Sequence, residues 1–226
     1  MLDTISGFWS QYGQLLFDGT WDTLIMVLVS TVFAYVIGLP LGILLNISQP
    51  HGIAPNRWLN RILGWVVNVG RSLPFLILMV AIMPFTKAIV GTKIGIRGAI
   101  VPLVISAAPF IARMVETSLA EVDAGVVEAA QSMGASRLQI VRKVLLPESL
   151  PSLILGGSIS IITILAYTAI AGAVGAGGLG DLALRYGYQR SVESVMWVTV
   201  ILIIVLVQVI QSLFSWLSSK LDKRLR

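Results

Sequence analysis

Residues 149–180 run for 32 positions without a charged side chain, and residues 23–46 form a second uncharged run. A helical crossing of the hydrocarbon layer takes about 20 predominantly apolar residues, so either run is more than long enough for one. The composition points the same way. The chain is 56% hydrophobic and only 12% charged, with a mean hydropathy of +0.89, whereas a soluble domain carries about 25% charged residues. The expected fold class is therefore all-α, a polytopic membrane protein.

Five spans fit the chain. The first, 23–46, holds Gly38, Pro40 and Gly42, breakers that a membrane helix tolerates when packed against other helices. The second, about 63–84, must include Arg71, because the uncharged run from Ser72 to Thr86 is only 15 residues. Near a helix end its stem can snorkel to the headgroups, which favours a topological anchor over a substrate contact. The third, about 97–117, ends in Arg113 and Glu116, spaced i,i+3 so that each compensates the other. The fourth and fifth are about 151–172 and 194–217, separated by the non-helical glycine stretch GAVGAGGLG. Residues 1–22 read as an extracytoplasmic, interfacial segment with Phe8, Trp9, Tyr12 and Phe17. They lack Lys and Arg, which a secretory signal needs in its n-region, so the start reads as mature chain.

Orientation follows from the basic residues. The loops 47–62 and 113–150 and the tail 218–226 hold ten Lys or Arg, against five in the N-terminus and the loops 85–97 and 173–193. Positive charge stays inside. The N-terminus is expected outside, with the 120–148 loop and the basic 218–226 tail in the cytoplasm.

Several chemistries are excluded or disfavoured. There is no cysteine, and His51 is the single histidine, placed beside Pro50 and Gly52 as a turn residue. Gly175–Gly180 matches G-x-G-x-x-G, but Asp181 follows at once and no βαβ unit surrounds it, as a dinucleotide site requires. The G-x-G-D of an intramembrane aspartyl protease lacks its second membrane carboxylate. No Gly-Lys dipeptide occurs, so the chain has no phosphate-cradling loop of its own. It is not expected to be an enzyme or to hold a metal or cofactor. The net charge of +5 suits lipid headgroups and a docked subunit rather than nucleic acid, since the basic residues flank apolar segments.

The longest polar passage is Glu128–Pro147, EAAQSMGASRLQIVRKVLLP. Asp123 is a plausible N-cap for a helix with Val126, Val127, Ala130 and Met133 on one face. Gly134 is placed to end that helix in the left-handed region. Ser136 and Gln139 form a capping box for a second helix, which Pro147 should stop. On this physics alone the passage reads equally as a solvated loop between spans.

The pattern is more specific than the shape. Glu128, Ala129, Ala130, Gly134, Val144, Leu146 and Pro147 fall where the cytoplasmic "EAA" loop of binding-protein-dependent ABC importer permeases has its motif residues. Val144 replaces the usual isoleucine and keeps the β-branched shape. The resemblance implies a type I ABC importer permease fold and a coupling role for this loop, docked on a separate ATPase subunit. Further stretches resemble the methionine importer branch. They are Arg71-Ser-Leu-Pro-Phe, Met83-Pro-Phe-Thr-Lys-Ala-Ile-Val-Gly, Ala107-Ala-Pro-Phe-Ile-Ala-Arg-Met-Val-Glu116 and Gly172–Gly180. What that branch implies is a homodimer, two cytoplasmic ATPase subunits that bind ATP-Mg, and an extracytoplasmic methionine-binding lipoprotein. One five-helix chain has little room for a closed path, so the path is expected between two copies. Tyr167, Thr168 and Ile170, at the outer end of the fourth span, are the candidate gate. The alternatives are a permease for another amino acid or an osmoprotectant, and a non-transporting membrane anchor.

Overall fold

The structure is a computed structural model and describes residues 2–221. Its elements, all helical among the described residues, are α1 (Leu2–Ile47), α2 (Arg57–Ser72), α3 (Phe75–Ala81), α4 (Met83–Val90), α5 (Gly95–Ala120), α6 (Ala124–Ser132), α7 (Arg137–Ile140), α8 (Leu146–Glu148), α9 (Leu150–Gly172), α10 (Gly178–Leu182) and α11 (Glu193–Leu221). Two π-helical turns, Val141–Leu145 and Ala183–Tyr188, complete the order. Four helices are long and apolar enough to cross a membrane: Ser6–Ile47, α5, α9 and α11. A fifth crossing is made if α2 and α3 count as one broken span. Residues 222–226 of the expected basic tail lie outside the described residues.

The ends of the third, fourth and fifth spans fall within a few residues of expectation, but four local features differ. First, α1 runs unbroken through residue 22, where the sequence suggests a boundary between interfacial segment and span. No proline precedes Pro40, and the Thr20 and Thr23 hydroxyls donate back to the carbonyls of Leu16 and Gly19 at 2.7 and 2.9 Å, so they do not interrupt the helix. Second, the expected helix over 63–84 breaks at Leu73–Pro74. Leu73 is extended (φ −88°, ψ 126°), the conformation that a following proline favours. Arg71 consequently lies in the last turn of α2, where positive charge suits the helix dipole.

Third, Pro147 does not stop its helix. The π-turn at Val141–Leu145 precedes it, and the chain passes through Ser149 directly into α9. A proline lacks an N–H and crowds the carbonyl four residues back; a wider turn at that point accommodates both. The Ser149 hydroxyl donates to the Leu145 carbonyl at 2.7 Å and helps bridge the junction. Fourth, the last glycines of the 172–180 stretch open α10 instead of remaining non-helical.

The chain divides into two compact units. One comprises Met1–Val32, Pro74–Val104 and Ile161–Val209; the other comprises Phe33–Leu73, Ile105–Ser160 and Ile210–Arg226. In the first, Met26, Met79, Leu103, Ile164 and Leu179 are fully buried. Gly178 (φ +78°) packs so tightly that an added Cβ would lie 2.7 Å from Thr23 Oγ1. That same hydroxyl oxygen accepts the Leu179 N–H at 2.9 Å. Gly172 backs directly onto the Asp181 amide, so no side chain fits there. In the second unit, Leu45, Val67 and Ala112 form a buried cluster with Leu41 and Leu63 around it. Gly38 and Gly42, one helical turn apart on α1, press against α5 at Ala108, Ile111, Ala112 and Val115. Gly156 faces Met114, and Gly157 faces Phe214 and Tyr35. These glycines therefore permit close approach between helices of the chain itself.

Candidate functional site

The polar passage folds as its caps dictate. Asp123 caps α6 by accepting the Gly125 N–H at 2.8 Å. The helix ends in a Schellman arrangement with Gly134 at φ +77°. The Gly134 N–H donates to Gln131 O at 2.9 Å, and the Ala135 N–H to Ala130 O at 3.1 Å. Ser136 and Gln139 close a reciprocal capping box at the start of α7. Two independent stops thus fix the turn between α6 and α7. Ile140, Val141 and Leu145 bury themselves and seat the passage on its unit.

No residue of α6 is buried. Its faces divide unevenly. Val126, Ala129 and Met133, at i, i+3 and i+7, are exposed, and Met133 is 87% accessible. The exposed methionine, next to Ala129 and an uncovered Gly134, makes a compact apolar ridge. The other side of α6 faces inward: Val127, Glu128 and Gln131 line a cleft of about 340 Å³ with Asn46, Gln49 and His51. The sequence grouped Val126, Val127, Ala130 and Met133 on one face; the structure turns Val127 into the cleft and leaves Val126 and Met133 outside. Of the motif residues, Ala129, Gly134 and Pro147 are exposed, while Ala130, Val144 and Leu146 are half-buried. Glu128 is exposed at the cleft rather than on the outer ridge.

Beneath the passage lies a polar network that the sequence signalled only in part. Arg113 and Glu116 form the expected ion pair. Glu116 also accepts from Gln49 Nε2 at 3.0 Å, and Arg113 donates to Asn68 Oδ1 at 2.9 Å. The Ser152 hydroxyl reaches both Ser118 Oγ at 3.0 Å and Glu121 Oε1 at 3.1 Å. The loop before α2, the end of α5 and the start of α9 are therefore tied together where α6 emerges. Long-range amide contacts such as Gln49 and Asn68 carry no sequence spacing that would reveal them.

The gate candidates are placed separately. Tyr167 stacks on Phe75 with ring centroids 4.6 Å apart and planes within 7°. Thr168 is buried and donates to Leu165 O at 2.6 Å, so it faces its own unit. Ile170 is 39% exposed, one turn from Tyr167 on the same side of α9. The structure thus groups Tyr167 with Ile170 and sets Thr168 apart. Asp181, the acid of the tempting glycine motif, is held by Arg185 at 2.6 Å. Among the described residues, no three His, Cys, Asp or Glu side chains converge as a metal set.

Residues 38–226 match the family described as "Binding-protein-dependent transport system inner membrane component". The chain is 52% identical over 222 residues to the probable D-methionine transport system permease protein MetI of Vibrio cholerae serotype O1, covering 98% of this chain and 99% of that one. It is also 52% identical over 158 residues to the D-methionine transport system permease protein MetI of Escherichia coli K12, covering 70% and 73%. A chain in an inward-facing structure of the MetNI methionine ABC transporter superposes with a TM-score of 0.93 at 47% identity, over 94% of this chain and 99% of that one. A chain of an amino acid ABC transporter superposes at 0.76 with 18% identity, over 93% and 96%, a likeness of fold alone.

Proposed function

Because this chain belongs to the family of inner-membrane components of binding-protein-dependent transport systems, we propose that it is the permease subunit of an ATP-driven importer for methionine, as the D- or L-amino acid. The observation that carries this reading is α6: a doubly capped, wholly unburied helix with an apolar ridge, set on a multi-pass membrane chain. Its substrate assignment rests on the names of relatives 52% identical to it. Accumulation of labelled methionine by proteoliposomes holding the assembled transporter tests the proposal.

In this reading two copies form the path, two ATPase subunits bind ATP-Mg and hold the α6 ridges, and a methionine-binding lipoprotein delivers substrate outside. On α11, Ile201, Ile204, Val205, Val209, Leu213 and Trp216 are all exposed, which leaves room for a second copy or lipid along most of its length. Closure of the ATPase pair moves α6. The Ser152 bonds to Ser118 and Glu121 join α9 to the end of α5, from which α6 emerges, and carry that displacement to both spans, which exchange access between the two sides. The chain itself supplies path and coupling, and the ATPase supplies the chemistry.

The orientation that serves this scheme has the N-terminus outside and the C-terminus in the cytoplasm, supported by the ten-to-five distribution of basic residues. A cysteine placed at Gly91 should react with an impermeant thiol reagent from outside, and one at Ser136 only from inside. The reverse labelling would remove the ATPase docking role of α6.

Tyr167 and Ile170 supply the outer gate, with Thr168 holding the helix behind them. Ile170→Trp should reduce transport about tenfold or more while leaving assembly intact, since overpacking a constricted path costs about 1–3 kcal/mol. Transport at the wild-type rate would exclude this side of α9 from the path.

A further inference from the structure

A groove of about 470 Å³ lies where the cytoplasm-proximal end of α1 meets α7 and the π-turn after it. Its floor is apolar, with Leu39, Ile43 and Ile47 from α1 and Leu138 from α7, and its rim carries Arg137 and Arg142. No Asp or Glu lines it. Neither arginine takes part in an ion pair among the described residues, and both are exposed. We infer that this groove is a binding site for one anionic phospholipid, an acyl chain lying against α1 and the phosphate between Arg137 and Arg142.

Three features fit a lipid better than a protein partner. One wall of the groove is the end of a membrane-crossing helix, so its apolar surface meets acyl chains already. The arginines share the groove with Ile43, Leu44 and Ile47 in the last turns of α1, toward the end of that span, from which their long side chains can reach the headgroups. Two guanidinium forks beside an apolar trough match a phosphodiester on a hydrocarbon tail, and basic pockets beside membrane helices on the cytoplasmic side hold such headgroups. The site is separate from the α6 ridge, whose exposed residues do not line it. It rests on the chain spanning a membrane and stands whichever substrate passes.

Native mass spectrometry of the detergent-purified complex tests this, with dioleoylphosphatidylglycerol and dioleoylphosphatidylcholine added at equal concentration. Wild type should retain phosphatidylglycerol about tenfold over phosphatidylcholine, the worth of one charge-assisted contact. Arg137→Gln with Arg142→Gln should bring the two lipids level, and Arg137→Lys with Arg142→Lys should restore part of the preference. Equal retention of both lipids by wild type, or an undiminished preference in the double glutamine variant, would overturn the site. So would displacement of the lipid by millimolar inorganic phosphate, which would mark a general anion site. Loss of the ATPase from the glutamine variant with lipid preference intact would make the groove a protein-docking surface, again contrary to the inference.

Discussion

Gly134→Leu should uncouple the ATPase from the membrane subunit, lowering binding-protein-stimulated ATP hydrolysis at least about tenfold, the effect of about 1.4 kcal/mol. The reason is conformational first. Gly134 sits at φ +77° and completes the Schellman end of α6. A residue with a Cβ pays about 1–2 kcal/mol there, enough to unwind the last turn and re-aim Met133. Within the chain an added Cβ at Gly134 meets nothing within 4 Å, so the leucine would project outward, onto whatever α6 docks against. Gly134→Asn, which tolerates the left-handed region, should retain most of the coupling. Glu128→Gln should weaken it only mildly, because Glu128 lines a cleft of its own chain and acts on register more than on affinity. Co-purification of the ATPase measured beside hydrolysis separates dissociation from uncoupling. Wild-type values of both for Gly134→Leu would make the passage a passive linker.

The second large effect concerns the frame. Gly42→Leu should destabilise the protein by about 3 kcal/mol, the upper range for overpacking, and lower its melting temperature in detergent by several degrees. An added Cβ at Gly42 would stand 2.5 Å from Ala112 O and 2.6 Å from Val115 Cβ, and one at Gly38 would stand 2.8 Å from Ala108 O. The Ala112 carbonyl is backbone and Val115 is met at its Cβ, so neither can swing away. Gly64→Ala is the control: the nearest atom is the Arg113 guanidinium at 3.8 Å, and alanine favours the helix. An unaltered melting curve for Gly42→Leu would mean that α1 and α5 are not packed as described.

Much of this arrangement was legible in the residues. The caps at Asp123, Gly134 and Ser136 are local chemistry, two made by a side chain bonding to backbone two or three residues away and one by a glycine free to turn left-handed, and all three form. Span ends were legible where charge, costly in hydrocarbon, returns beside them, as at Lys93, Glu121, Glu148 and Glu193; the end of Leu150–Gly172 falls inside an uncharged run and was legible from its glycines instead. Prolines were harder. Pro74 breaks a helix and Pro147 does not, a difference decided by the extended Leu73 before one and the π-turn before the other. The rule that a residue preceding proline leaves the helical region could have flagged Pro74; nothing in the sequence marks the π-turn. The outward face of α6 was misread because its apolar residues, Val126, Val127, Ala130 and Met133, wrap beyond one stripe. Only tertiary packing decides which of them turn in.

Uptake is the most direct measure of the central proposal. The chain is reconstituted in proteoliposomes with its ATPase inside and the methionine-loaded binding protein outside, and internal labelled methionine is followed with and without ATP. Accumulation above the external concentration should occur only with ATP, fall to background with Gly134→Leu, and be competed by unlabelled methionine. ATP-dependent accumulation of a different amino acid or an osmoprotectant in place of methionine would contradict the substrate. ATP hydrolysis with no accumulation of any solute would contradict the permease itself.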